Sequence, residues 1–227
     1  VLRKCGWIIC GIFWLLGSAP AKAQWYQNKW EITPFAGYET RGSYMLNPTS
    51  TTVNVTEVRA NAAASFGTFV DYSVWESFQA EFMWDRNVTS YSELQPPSPT
   101  YVKAYNSDID QFQFGGLYMF LGKEHKIRPY AAASIGFTHE FNSALPPTTG
   151  VTSGATPNRT DFGFGLGGGV KYQVTSHIGF RGDARYMPTY ANSSLAQYCD
   201  PYYGCYTANA ANYQHRGNFL AGIIFSF

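Results

Sequence analysis

The last twelve residues, RGNFLAGIIFSF (Arg216–Phe227), decide how the rest of the chain is to be read. Counting back from the end, Phe227, Phe225, Ile223, Ala221 and Phe219 share one face, and all five are apolar. Ser226, Ile224, Gly222, Leu220, Asn218 and Arg216 share the other, which turns polar toward its start. Strict alternation is the period of a β-strand, whose successive side chains point to opposite sides.

Seven similar runs lie upstream, over Trp30–Tyr38, Phe66–Tyr72, Phe78–Asp85, Gln111–Phe120, Tyr130–Phe137, Phe162–Lys171 and Ile178–Met187. No convincing 3.6-residue periodicity competes with them. They predict eight strands of about 9 to 14 residues, the length a tilted strand needs to cross a bilayer. The connections alternate too. Those near Trp75, Gly122 and Ser176 are short, whereas those over 41–61, 93–108, 143–160 and 193–213 are long and rich in Pro, Asn, Ser and Thr. Short turns at one end and long loops at the other mark an up-and-down membrane barrel. The expected fold is therefore all-β, an eight-stranded antiparallel up-and-down transmembrane β-barrel.

Composition agrees. Aromatic residues make up 18% of the 227-residue chain and charged residues only 14%, yet mean hydropathy is −0.22. That combination excludes a helical membrane protein and suits surfaces on which apolar and polar residues alternate. A formal net charge of +1 provides no field to attract nucleic acid. Residues 1–23 read as a signal peptide, with Arg3 and Lys4, an apolar run over Trp7–Leu16, and Ala21-Lys22-Ala23 before Gln24. Residues 24–227 then form the barrel domain. Ile9 stands where a lipoprotein signal needs a small residue before Cys10, so lipidation is not expected.

Alternation alone does not say which face is inside. A soluble ligand-binding barrel would turn the apolar residues inward. Two features favour the membrane arrangement. The charge-bearing face is rich in glycine, which suits a crowded lumen, and Trp30, Trp84, Tyr72, Tyr118, Tyr172 and Tyr186 lie toward the ends of the apolar face, as interface belts do.

The segments Lys126–Phe137 (KIRPYAAASIGF) and Gly169–Tyr186 (GVKYQVTSHIGFRGDARY) resemble strands of the outer-membrane-protein-A-like barrel superfamily. The likeness runs over essentially the whole chain after Gln24. It implies a barrel in the cell outer membrane, surrounded by lipids that include lipopolysaccharide. It also implies that the terminal strand, with Phe219, Ala221, Ile223, Phe225 and Phe227, is read by the barrel-assembly machinery. With Phe227 as its last residue, the chain is expected to lack the peptidoglycan-binding domain that some members carry.

Candidate chemistry concentrates in the lumen. Arg181, Asp183 and Arg185 share one side of one strand, with Glu31, Glu81, Asp85, Lys171 and Arg216 on other inward faces. Charges enclosed in a narrow barrel must be paired or wetted, so these eight are expected to form a salt-bridged plug or a narrow gate. Cys199 and Cys205 flank a five-residue turn and are expected to form a disulfide in an oxidising compartment. Tyr198, Tyr202, Tyr203, Tyr206 and Tyr213 surround them, and a loop so equipped suits an adhesin or host-interaction role through an extracellular ligand.

Enzymatic activity is not expected. Gly163–Gly168 spells G-x-G-x-x-G but lies inside a strand pattern with no helix after it. His139 and His215, near the long-loop end, are the residues a lipid-modifying enzyme would use, but His139-Glu140 does not extend to a second histidine, Ser143 standing there instead. No cofactor or metal site is expected. The sequence thus favours a structural or narrow porin-like barrel, with loop-mediated adhesion as its main rival.

Overall fold

A computed structural model describes residues 28–45, 57–94, 100–144, 158–190, 197–200, 204–207 and 213–227. The expected signal peptide lies outside the described residues. Eight long strands form the wall: β1 (Trp30–Arg41), β2 (Ala63–Trp75), β3 (Phe78–Leu94), β4 (Tyr101–Met119), β5 (Ile127–Ala144), β6 (Arg159–Gln173), β7 (Ile178–Tyr186) and β8 (Arg216–Ser226). Each pairs antiparallel with its sequence neighbours. The ring closes between β1 and β8, from Glu31 opposite Ser226 to Arg41 opposite Arg216. Trp30 and Phe227 complete the seam by exchanging backbone hydrogen bonds at 3.0 and 3.1 Å. No helix occurs among the described residues.

The three short connections are Glu76-Ser77, Phe120–Lys126 and Val174–His177, all at the end that holds the chain's Phe227. At the opposite end the strands run further than the alternation predicts. Residues 101–108, expected in a loop, are the first part of β4 and pair with Val88–Leu94 of β3. Beyond the membrane both faces of a strand are polar, so period two fades from the sequence although the backbone ladder continues. Residues 43–45 pair with 57–60, which pair in turn with β3. Gln197–Asp200 and Gly204–Thr207 form a small hairpin within the last long connection.

The inside-outside question is settled by burial. Along β7, Gly179, Arg181, Asp183 and Arg185 are buried while Ile178, Phe180, Gly182, Ala184 and Tyr186 are exposed. The outward set elsewhere includes Phe114, Tyr118, Ile135, Leu166 and Phe219, each more than half exposed. So much contiguous apolar surface is foreign to a soluble monomer and natural to one facing lipid. The inside-out alternative of a soluble barrel is thereby excluded.

The band has visible margins. Trp84, Phe112, Phe137 and Phe162 are ladder partners in one row across β3 to β6. Two residues further along lies a second row of partners, Arg86, Asp110, His139 and Thr160. Arg86 reaches Asp108 at 3.0 Å and Asp110 at 3.4 Å on this outer surface. The change from rings to charges within one strand step marks the membrane boundary. At the short-turn end Trp30 packs on Tyr72 and Trp75 on Phe78, with ring centroids 4.8 and 5.5 Å apart. Of the expected belt, Trp30, Tyr72, Tyr118 and Tyr172 gather at that end, while Trp84 and Tyr186 lie toward the other.

These margins predict opposite outcomes for two substitutions. Phe114→Arg, in the middle of the band, should destabilise the folded barrel by about 2–4 kcal/mol. Arg86→Lys, at the margin, should change it by less than about 1 kcal/mol. Urea unfolding from lipid vesicles, followed by gel mobility without boiling, measures both.

Candidate functional site

The inward face carries two polar layers with an apolar layer between them. Nearest the short turns, Lys171 Nζ spends its donors on Glu31 Oε2 (2.6 Å), Asp71 Oδ2 (2.7 Å) and Gln79 Oε1 (2.7 Å). Arg181 bridges outward from the same carboxylate. Its Nη1 donates to Asp71 Oδ2 (3.0 Å), its Nη2 to Glu81 Oε2 (2.6 Å), and its Nε to the Tyr130 hydroxyl (2.8 Å). Arg185 grips Glu81 with two nitrogens, at 2.5 and 3.0 Å, and donates from Nε to Asp183 Oδ1 (2.8 Å). Tyr130 donates to Asp183 Oδ2 at 2.5 Å. All these side chains are buried, and charge-assisted, partly bidentate bonds are what keep such burial tolerable.

Above this network sit Phe35, Phe69, Met83, Met187 and Leu220, which form one buried apolar cluster. The rings of Phe35 and Phe69 lie 4.6 Å apart. Arg181 stacks its guanidinium over Phe69, with Cζ 3.7 Å from the ring centroid, so the charged layer and the apolar septum are joined by a cation–π contact. Beyond the septum a second polar layer begins. Arg41 Nε meets Glu39 at 2.5 Å and its Nη2 donates to Asn87 Oδ1 at 3.1 Å. Glu140 is held by Arg216 (2.7 Å) and Arg159 (3.0 Å), and Arg159 also meets Asp161 at 3.0 Å. The short-turn end is closed by Arg128, which is buried and donates to the carbonyl oxygens of Leu121 (3.3 Å) and Glu76 (3.1 Å).

All eight lumen residues named from the sequence lie inside the barrel. They do not form one network. Glu31, Glu81, Lys171, Arg181, Asp183 and Arg185 share the lower layer, whereas Asp85 and Arg216 lie in the upper one, on the far side of the septum. Sequence reasoning passed over Asp71 and Gln79, although their alternation placed them inward, and read Tyr130 as a bulky lumen residue with no part in the charge network. It also passed over Glu39, Arg41, Glu140, Arg159 and Asp161. Those five would have emerged from extending each inward parity past the end of its apolar run.

The glycines of Gly163–Gly168 lie within the unbroken strand β6. Their neighbour Gly169 shows what small residues do here: a Cβ at that position would come within 2.5 Å of the Tyr130 hydroxyl. The histidines do not converge. His139 Nδ1 is 2.6 Å from Thr160 Oγ1 on the outer wall, and His215 stacks on Tyr186. Among the described residues no three His, Cys, Asp or Glu side chains are grouped to hold a metal ion. In the small hairpin Cys199 and Cys205 are directly opposite partners. Of the tyrosines, Tyr213 packs edge-on to Tyr190 at 5.4 Å, and Tyr202 and Tyr203 lie outside the described residues. Phe219, Ile223, Phe225 and Phe227 of the terminal strand face outward.

The profile of the outer membrane protein beta-barrel domain family matches residues 12–219. The chain belongs to that family. Solved structures share its fold at low identity. OprG, an outer membrane protein of Pseudomonas aeruginosa, superposes with a TM-score of 0.59 at 13% identity, over 91% of this chain and 97% of that one. Neisserial surface protein A gives 0.52 at 15%, over 87% and 97%. The outer membrane protein AlkL, solved in lipid bilayers, gives 0.51 at 11%, over 92% and 93%. None of the curated proteins matches the chain in sequence. As an outer-membrane barrel, the chain sets its exposed band against lipid and its paired charges toward its own axis.

That arrangement makes Glu81, like Asp183, a carboxylate that faces both arginines of the lower layer. Glu81→Ala should cost about 3–5 kcal/mol, the usual penalty for stranding a buried charge. The double variant Glu81→Ala with Arg185→Ala should cost less than the sum of the two single changes. A double-mutant cycle on equilibrium unfolding reads the difference.

Proposed function

We propose that this outer-membrane barrel is a structural protein with a sealed lumen, which presents its four long connections outside the cell and does not serve as an open pore. The apolar septum of Phe35, Phe69, Met83, Met187 and Leu220 carries this reading. Ions crossing the lumen would have to pass five packed apolar side chains, which offer nothing to replace their hydration. The lower network adds a second obstruction, and Arg128 a third. An eight-stranded wall leaves an interior that side chains can fill, and here they fill it with alternating chemistry.

Several roles follow from this proposal. The barrel acts by anchoring and display, without catalysis. Outer-membrane lipids, lipopolysaccharide among them, surround the aromatic band. The outward row Phe219, Ala221, Ile223, Phe225 and Phe227 serves as the signal for the barrel-assembly machinery. Cys199 and Cys205 are joined as a disulfide that staples the last long connection, because directly opposed residues in an antiparallel pair lie about 4.5–5.5 Å apart at Cα, within disulfide reach. Thiol labelling of the unfolded chain should find these two cysteines blocked until a reductant is added.

Conductance tests the central claim. In planar bilayers the wild-type barrel should pass no steady current. Phe35→Ala combined with Phe69→Ala should pass at most brief, flickering current, since the lower network and Arg128 still obstruct the lumen once two rings of the septum are gone. A wild-type barrel with steady single-channel current would sink the proposal and restore the narrow-pore reading.

A further inference from the structure

The carboxylates of the interior are not all paired above the septum. In the lower layer each of Glu31, Asp71, Glu81 and Asp183 meets at least one cation within 3.0 Å. In the upper layer Glu39, Glu140 and Asp161 are met by Arg41, Arg159 and Arg216. Asp85 makes no ion pair among the described residues. Its side chain is fully buried, and Asn218 Nδ2, from across the lumen, donates to its Oδ2 at 2.9 Å.

On the inward faces beside Asp85 stand several oxygen atoms that lack donors. Asp85 Oδ1, Asn218 Oδ1, Gln113 Oε1 and Ser65 Oγ are all buried without a hydrogen-bond partner. The ladder explains their proximity. Asp85 stands opposite Gly67 on β2 and Gln111 on β4. Ser65 and Gln113 are each two residues beyond those partners on the same inward face, which makes them diagonal neighbours of Asp85. Three of the four oxygens can only accept. On the donor side Arg41 Nη1 is also without a partner, but its guanidinium already serves Glu39 and Asn87. A buried carboxylate with no ion pair, beside acceptors in want of donors, favours a positive charge among them, since an uncompensated buried carboxylate is costly.

We propose that Asp85, Asn218, Gln113 and Ser65 bind one small monovalent cation, of the sodium or potassium class, on the upper side of the septum. A single carboxylate with neutral amide and hydroxyl oxygens suits a singly charged ion. Calcium and magnesium ask for more carboxylates or for several retained waters. An anion would be repelled by the Asp85 carboxylate. The septum lies below the site, so the ion neutralises the upper layer without being on its way across the membrane. The inference does not depend on the lumen being sealed, because the same oxygens would hold a cation in a conducting barrel.

Thermal unfolding of the refolded protein in detergent micelles tests it. The loss of the fast-migrating folded band is followed in sodium, potassium and N-methyl-D-glucamine chloride at equal pH and ionic strength. The folded wild type should survive to higher temperature in sodium or potassium than in the bulky cation, with an effect that saturates as the small cation is titrated. Asp85→Asn should remove the difference between salts while still folding. Ser65→Ala and Gln113→Leu should each shift the titration to higher cation concentration, and they carry the test if Asp85→Asn fails to fold. Identical unfolding of the wild type in all three salts would overturn the proposal, leaving water or a proton to satisfy Asp85. A salt difference that persists in Asp85→Asn, or titrations unmoved by the other two variants, would overturn it equally by placing the cation elsewhere.

Discussion

Lipid offers no hydrogen bonds, so every amide and carbonyl of a strand within it must find a partner in the protein. The seam between β1 and β8 is where this chain meets that demand, since without it two strand edges would face hydrocarbon. Closing the ring has a consequence for side chains. Once eight strands form a tight circle, every second residue is forced into a space too narrow to leave side chains free. The charges that the outer face must avoid are collected there, and they have to be neutralised by one another.

Neutralisation proceeds in layers. Below the septum, Lys171, Arg181 and Arg185 each serve two or more acceptors, and Tyr130 links two of the charged groups through its hydroxyl. Such a network stands or falls together, because removing one member leaves others buried without compensation. The septum gains from its position against this layer, where the Arg181 guanidinium lies over the Phe69 ring. Above it the pairs are more dispersed, and Asp85 has no ion pair among the described residues. The lumen is therefore better described as two chambers of different electrostatic character than as a uniform charged plug.

The outer surface is governed by a simpler rule. Where the wall meets lipid it carries rings and branched chains, and where it leaves lipid the same strands change to Arg86, Asp110, His139 and Thr160 within one step. The strands do not stop at that margin. Residues 101–108 keep their ladder well beyond it, held by backbone bonds that do not depend on which side chains are apolar.

Much of this was legible in the alternation of single residues. Period two identified the strands, and the set of charges on one parity and rings on the other separated lumen from lipid, because a strand gives each residue only two directions to face. Period two could not report the strand extensions, where water on both sides removes the contrast it relies on. Nor could it tell that Lys171 would meet Asp71, 100 positions away, or that Arg185 would meet Glu81, 104 positions away. Those encounters are set by the stagger of strands around the closed ring. The sequence by itself determined which residues face inward. Only the tertiary structure decided which of them meet, and so left Asp85 without an ion pair while the carboxylates around it have one.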